Sequence, residues 1–272
     1  MPKVYSVSLS IVVSSTLNNN SWSTISNISS QGLAGRYWSV GDRKSVVLDG
    51  TVDLYTWSNE TTWAFIIGIN HNSSIEGDNL IHFQLGKFSA ISRHIQCWAD
   101  RNYYSKKKSS GFIMNTANED KAGGWAQSYM RNTVCANFVN CIESSLRNAL
   151  RPVTKYTDNR GIGRTSSSAV SSTIDKIFLC SPVELRGSSA NYVNIYEQNY
   201  QKQYSYYKSN SILAYTYENN SDSTRCWLRS PAYDYGSDQE PFSFNIIGQN
   251  TGSIIGFRWS NYSLGFAPCF CV

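Results

Sequence analysis

The chain has 272 residues, of which 41% are hydrophobic, 16% are charged and 14% are aromatic. Soluble domains average about 25% charged residues, so this surface must be polar mainly through Ser, Asn, Tyr and Gly. No apolar run is long enough to cross a membrane and no heptad repeat is sustained, which excludes a membrane span and a coiled coil. The net charge of +5 is not concentrated in one segment, so no nucleic-acid partner is predicted.

The cysteines do not indicate a disulfide framework or a zinc ribbon. There are seven of them, an odd number, and no two are separated by two residues. A chain of this length does not depend on disulfides for a core. No cofactor is predicted.

The first twenty residues are predicted to form a separate N-terminal β arm. Residues 3–14 alternate between apolar and polar types, and three asparagines then interrupt the pattern. Ser21 or Ser23 is expected to cap a short helix that ends near Gly32. Its apolar residues recur at spacing three: Trp22, Ile25 and Ile28.

A run of strands separated by turn residues follows and predicts an antiparallel meander. The strands are expected at residues 37–40, 45–48, 52–57, 63–69 and 80–85.

Two amphipathic helices are predicted between two β-rich parts. The first opens at Gly123 and carries Trp125 and Tyr129 on one face, and the second carries apolar residues at spacing four from Phe138 to Leu150. The fold class is therefore α+β. Later segments are predicted as a surface loop at 158–172, a buried strand at 174–180, short strands from 226 onward and a final core strand at 266–272.

Seven ordered motifs then carry a family resemblance. They are RYWSVGD (36–42), IIGINHN (66–72), IHFQLGK (81–87), GGW (123–125), PVTKYTDN (152–159), WLRSP (227–231) and SLGFAPCFCV (263–272). Together they resemble a domain family of unknown function that is abundant in phage and prophage proteins of gut clostridia. The resemblance begins near residue 21.

The last two motifs also resemble C-type-lectin-like variable proteins of diversity-generating retroelements. That resemblance implies a C-type-lectin-like fold at 21–272, a variable region at 226–272 and a receptor-binding role at a phage tail tip. It places the protein in the virion or on a bacterial cell surface. The expected partner is a host surface protein or glycan, and the arm at 1–20 is expected to attach to other tail proteins or to further copies of the chain.

The residues between these two motifs support a ligand-binding surface. They mix charged, aromatic, aliphatic and small types with no single period, unlike a core strand. Exposed aromatics and arginines tend to dominate affinity. The predicted ligand-binding residues are Tyr233, Asp234, Tyr235, Ser237, Asp238, Phe242, Phe244, Asn245, Ile246, Asn250, Ser253, Ile254, Arg258, Trp259, Asn261 and Tyr262.

Three other chemistries remain as alternatives. A calcium-dependent sugar site is disfavoured because Glu240-Pro241 is followed by Phe242. Cys269 and Cys271 would lie on the same side of a strand, as in a copper site of a formylglycine-generating enzyme, although packing as core residues is favoured. A metal site at His71 and Glu76 is the third alternative, but these residues supply only two ligands.

The prediction is therefore a binding protein without catalytic residues or metal. Arg229 is expected to hold a loop by bonding to backbone carbonyls, and carboxylate binding by it is the alternative. A bacterial cell-surface or secreted interaction module is the alternative function.

Overall fold

An antiparallel sheet of six strands forms the centre of the fold. The computed structural model describes residues 12–88, 95–96, 98, 111–116, 122–161, 166–189, 193–209, 226–232, 243–247 and 254–272. Residues 1–11 of the predicted arm lie outside the described residues. Residues 12–20 form no strand: Leu17–Asn19 is a 3₁₀ turn, Leu17 is buried in the core, and Asn18 Oδ1 accepts a hydrogen bond from the Ser45 amide at 2.8 Å. This described part therefore packs on the main fold. Within the described residues, every pair of named strands is antiparallel, and the helices are short, so the fold is α+β as expected.

The strands form three sheets. The central sheet has the order β1-β2-β3-β11-β7, with β4 paired to β3; a second sheet has the order β10-β9-β8, and a third consists of β5 and β6. Their bounds are β1 Arg43–Val52, β2 Tyr55–Ile69, β3 Ile81–Phe88, β4 Ile95–Gln96, β5 Val153–Asp158, β6 Val170–Asp175, β7 Ile177–Phe178, β8 Cys226–Pro231, β9 Ser243–Ile247, β10 Ile254–Trp259 and β11 Cys269–Cys271.

The helical elements connect these strands. The α-helices are α1 Trp22–Ser30, α2 Ala34–Tyr37, α3 Ser73–Glu76, α4 Gly124–Gln127, α5 Ala136–Phe138, α6 Ser144–Ala149, α7 Pro182–Arg186 and α8 Ser205–Ser209. The 3₁₀ turns are Leu17–Asn19, Val139–Cys141, Ser167–Ala169, Gly187–Ser189 and Ile195–Asn199, and Met130–Cys135 is a π-helical turn. In the described part, no helix is long and apolar enough to cross a membrane.

The predicted first helix and most of the meander are confirmed. Ser21 caps α1, because its side chain accepts a hydrogen bond from the Thr24 backbone amide. The strand predicted at 45–48 continues to Val52 as β1, because its pairing with β2 has a bulge between Leu48 and Gly50 where a turn was expected. The strand predicted at 52–57 instead contains the turn between β1 and β2, and its residues 55–57 join those predicted at 63–69 in the single strand β2. The prediction of a strand at 37–40 is wrong. Tyr37 is the last residue of helix α2, and the first strand, β1, begins only at Arg43.

The two predicted amphipathic helices are each interrupted. Ser128 is extended and ends α4 before the π-helical turn begins. Ile142 is extended too, and it forms a bridge with Leu48 of β1 instead of continuing a helix. The apolar residues at spacing four in 138–150 are buried, as that spacing predicts. The helix is nevertheless broken at Ile142, because this residue pairs with the central sheet. Similarly, 158–172 is not all loop, because β6 begins at Val170.

The C-terminal strand lies inside the core, as predicted. β11 pairs with β3 on one side and β7 on the other. Phe270 of β11 stacks on Phe83 with ring centroids 5.2 Å apart, and both side chains are fully buried. The end of the chain is therefore part of the scaffold.

Candidate functional site

The described parts of the predicted ligand-binding segment include strands β9 and β10, which form a sheet with β8. Within the described residues, β9 lies between β8 and β10, and neither outer strand pairs with the central sheet. The segment therefore leaves the scaffold at β8 and returns to it before β11.

The predicted binding residues fall into three groups. Asn245, Ile246, Ile254 and Arg258 lie on strands β9 and β10. The residues outside the described part are Tyr233, Asp234, Tyr235, Ser237, Asp238, Phe242, Asn250 and Ser253. The described side chains are those of Phe244, Trp259, Asn261 and Tyr262.

Phe244 corrects the prediction. Its side chain is 0% exposed and belongs to the hydrophobic core. It pairs with Pro231 of β8, where the sheet lies against the scaffold. Sequence reasoning placed it on the ligand face because the segment has no clear alternation. This ring holds the sheet and is not available to a ligand.

Trp259, Asn261 and Tyr262 are half-buried. The rings of Trp259 and Tyr262 meet edge to face with centroids 5.8 Å apart, and Tyr262 also packs against the core. Trp259 and Tyr262 therefore pack against other side chains of the protein, in addition to any contact with a ligand. The far end of the segment is packed against the scaffold through Tyr262.

Main-chain hydrogen bonds hold that far end. The Ser260 carbonyl accepts from the amides of Met114 and Asn115 at 2.8 and 3.0 Å. Leu264 and Phe112 exchange two backbone bonds of 2.9 Å. These contacts fix residues 260–264 before the chain enters β11.

The near end of the segment is held by side chains of β8, all of whose residues are buried. The Trp227 indole donates to the Phe112 carbonyl at 2.8 Å. Cys226 is disulfide-bonded, whereas five of the other cysteines are free thiols. The strand is thus fixed to the scaffold from its first residues.

Arg229 makes the most extensive contacts of β8. Its guanidinium forms two bonds with the Glu184 carboxylate of α7, a third with the Leu179 carbonyl at 2.8 Å, and a fourth with the Thr157 hydroxyl at 2.8 Å. Arg229 and Glu184 are both 0% exposed. The expected bond to a backbone carbonyl is present, and the alternative role of binding a ligand carboxylate is not available to a buried side chain.

Lys155 joins this pair into a buried ionic network. Its ammonium group lies 2.9 Å from Glu184, 2.5 Å from Glu76 and 2.8 Å from the Tyr204 hydroxyl. We use the term ionic network for Glu76, Lys155, Glu184 and Arg229. Two cations face two carboxyl groups, so the buried charges balance.

The ionic network sets the pKa values of its members. Burial opposes ionisation, but Arg229 and Lys155 hold the pKa of Glu184 well below its usual range. Burial also disfavours the charged Lys155, yet Glu184 and Glu76 raise its pKa above the usual range. Burial raises the pKa of Glu76, which faces one cation rather than two.

Glu197 connects the sheet to a neighbouring turn. Its carboxylate accepts bonds from Ser230 of β8 at 2.7 Å, the Asp158 amide at 2.8 Å and Gln201 at 3.1 Å. Burial raises the pKa of Glu197 to about 7 despite these donors. A buried group in direct contact with β8 therefore titrates near neutrality.

The histidines and thiols near the ionic network are buried. His82 Nδ1 lies 3.3 Å from the Cys271 sulfur, but both side chains are 0% exposed. Burial raises the pKa of the Cys271 thiol and lowers that of His82, so the reactive thiolate is disfavoured. Cys269 contacts Cys180 instead, at 3.5 Å between sulfurs.

His71 does not complete a metal site with Glu76. Its Nε2 lies 3.8 Å from the Glu76 carboxylate and has no hydrogen-bond partner among the residues that the structure describes, while its ring stacks on Tyr204 at 4.0 Å. No group of three or more His, Cys, Asp or Glu side chains in the described part could hold a metal ion. His94 lies outside the described residues.

Sequence reasoning missed the ionic network as a unit, because it named Arg229 only as a loop anchor and Glu76 only as a candidate metal ligand. One signal was present: Lys155 stands between Val153 and Thr157 in a strand where these alternate positions face the core. A lysine at a core position requires buried carboxylates. Which carboxylates these are depends on α3 and α7, and spacing along the chain does not reveal them.

The sequence comparison matches residues 101–272 to a domain family of unknown function, DUF6273. The chain belongs to this family. The DUF6273 domain includes Lys155, Glu184 and Arg229 of the ionic network, whereas Glu76 comes from the preceding hundred residues. No curated protein and no solved structure matches the chain.

Proposed function

We propose that this protein recognises a surface ligand without catalysis, through residues 232–262 held on a rigid scaffold. The observation that carries the proposal is that both ends of this segment are fixed: β8 by Arg229 and Trp227, and residues 260–264 by backbone bonds. Such fixed ends allow the side chains between them to change without loss of the fold.

The resemblance refines this proposal. We propose a C-type-lectin-like domain in a phage or prophage tail-tip protein, whose C-terminal region is diversified by a retroelement. The disulfide at Cys226 supports a location outside the reducing cytosol, as in a virion or on a cell surface. A bacterial cell-surface interaction module would share these features.

Cell binding by tyrosine variants tests the proposal. The double variant Tyr233→Ala/Tyr235→Ala is expected to abolish binding of the labelled protein to gut clostridial cells, because tyrosine is among the residues that dominate the affinity of such interfaces. Its Tm is expected to stay at the parental value. Tyr37→Ala, at a tyrosine 38% exposed on α2, is the matched control and should bind normally.

Two results would contradict the proposal. Binding unchanged in the double variant would exclude these tyrosines from the interface, and a large fall in Tm would assign them to the core. Trp259 and Tyr262 are left out of this test because both already pack within the protein.

The diversification has its own test in the flanking DNA. A reverse transcriptase gene and a near-repeat of the segment encoding residues 226–272 are expected beside the gene. Tail or baseplate genes next to it would favour the phage role, and a signal-bearing fusion partner would favour the bacterial one. If the repeat is absent, the diversification is rejected, but the proposed ligand recognition is not.

A further inference from the structure

The surface of residues 122–209 is cationic because its carboxylates are inside the protein. Four of the five acidic side chains described here are buried, and the fifth, Glu143, is half-buried. Eight of the nine described cationic side chains are exposed or half-buried: Arg131, Arg147, Arg151, Arg160, Lys176, Arg186, Lys202 and Lys208. Residues 12–88 differ, since they expose Asp49, Asp53 and Asp78.

Within this cationic region, apolar and aromatic side chains are exposed on strand β6 and in and directly after the turn Ile195–Asn199, which contacts β5. Ile174 is 69% exposed, Ile195 45%, and Tyr196 and Tyr200 37% each. The Tyr200 ring stacks on Tyr156 with centroids 4.5 Å apart and planes within 9°. We call this surface the tyrosine face: Tyr156, Ile174, Ile195, Tyr196 and Tyr200.

The tyrosine face is preorganised by contacts behind it. Tyr156 lies opposite Ser172 in the β5–β6 hairpin, and Ile174 lies opposite Thr154. Gln201 donates to the Tyr156 carbonyl at 2.5 Å, which ties the end of the Ile195–Asn199 turn to β5. Rings held in place lose little conformational entropy on binding.

The surroundings of the tyrosine face combine sparse positive charge with uncharged polar groups. Arg160, Lys176 and Lys202 are exposed, and each lies within four residues of a tyrosine-face residue along the chain. The polar residues Ser172 and Asn199 are exposed as well. This combination suits a ligand that has flat apolar faces, many hydroxyls and scattered negative charges.

We propose that the tyrosine face binds an anionic polysaccharide. Sugar rings would lie against Tyr196 and Tyr200, acidic groups of the polymer would pair with Lys176 and Lys202, and ring hydroxyls would bond to the neighbouring polar side chains. A single-stranded nucleic acid fits less well, because its phosphate on every nucleotide favours a continuous cationic groove. This surface does not involve residues 232–262, so it does not depend on the proposed function.

Affinity electrophoresis of the whole chain tests the proposal, with polygalacturonate as the acidic probe, dextran as the neutral control and a thymidine oligonucleotide as the nucleic-acid probe. We expect polygalacturonate to retard the protein and dextran not to. Tyr200→Ala and Lys202→Glu should each weaken binding about tenfold, the usual effect of losing one important interface side chain.

Matched variants distinguish binding at the tyrosine face from non-specific electrostatic or hydrophobic binding elsewhere on the protein. Lys208→Glu makes the same charge change on α8, which packs on β2 and α7, and Tyr37→Ala removes a tyrosine of equal exposure elsewhere. Both should bind polygalacturonate as the parent does, and all four variants should keep its Tm. The variant Tyr233→Ala/Tyr235→Ala should also bind it normally, which separates this test from that of the proposed function.

Several outcomes would overturn the proposal. These are no retardation of the parent by polygalacturonate, equal loss in the matched controls, or retention of full binding by both Tyr200→Ala and Lys202→Glu. Stronger retention by the oligonucleotide would assign the surface to a nucleic acid instead.

Discussion

The buried ion pair between Arg229 and Glu184 determines where strand β8 lies in the fold. Burying two charges costs about as much as their attraction returns, so the pair adds little net stability, but losing one partner leaves a buried charge uncompensated. Both side chains are 0% exposed, and Arg229 is also bonded to Leu179 and Thr157. The pair therefore fixes β8 in one place relative to α7 and β5.

Arg229→Met is expected to lower the free energy of unfolding by about 3–5 kcal/mol, because Glu184 then keeps only Lys155 as a cationic partner. Urea unfolding measures the loss. Adding Glu184→Gln to this variant should restore part of it, since the uncompensated charge is removed. A loss below about 1 kcal/mol would show that Arg229 does not fix β8.

The raised pKa of the Glu197 carboxyl group predicts that the stability of the protein depends on pH. Its pKa is raised from 4.5 to about 7 in the folded protein, so its contribution to stability is present below pH 4.5 and is lost as pH rises through 7. Glu197→Gln should remove this dependence. The parent should therefore become less stable relative to the variant by about 3 kcal/mol between pH 4.5 and pH 8.

The difference between the two unfolding curves isolates Glu197, because His71, whose pKa burial lowers to about 3, titrates in both proteins. Asp78→Asn, at an exposed carboxylate, is the control and should parallel the parent. Parallel curves for the parent and Glu197→Gln would contradict the account of this buried carboxyl.

The elements show where sequence patterns succeed. Alternation and spacing predicted α1, most of the β1–β3 meander and the final strand, because each buries one side against the same core. The predicted strand at 37–40 and the unbroken helix at 138–150 failed because tertiary contacts replaced local preference. Ile142 bonding to β1 is the clearest case, since nothing in its own segment indicates the bridge.

Gly124 marks a close approach between α4 and the end of β5. Its φ is +52°, and a Cβ there would collide with the Asp158 carbonyl oxygen. Gly124→Ala is expected to lower the free energy of unfolding by at least about 2 kcal/mol. At Gly35, an added Cβ has no neighbour within 4 Å in the described part of the chain, so Gly35→Ala should change the free energy of unfolding by less than about 0.5 kcal/mol. Equal losses by urea unfolding would contradict this contact.

At the scale of the whole molecule, the aromatics form two populations. Trp22, Trp57, Trp125 and Trp227 are buried scaffold residues, and the tyrosines of the tyrosine face lie at the surface. Phe244 and Tyr262 show why the ligand face could not be assigned residue by residue from sequence. An irregular segment contains both the side chains that hold it and those that face outward, and only packing distinguishes them.

Replacing residues 233–242 with a Gly/Ser linker of equal length tests the central claim most directly, with Tm and gut clostridial cell binding measured on the same preparation. Tm is expected to fall by less than about 3 °C, the shift that about 1 kcal/mol produces in a domain of this size, and cell binding is expected to be lost. A large fall in Tm, or full binding with the linker in place, would contradict the division between a fixed scaffold and a ligand-binding segment.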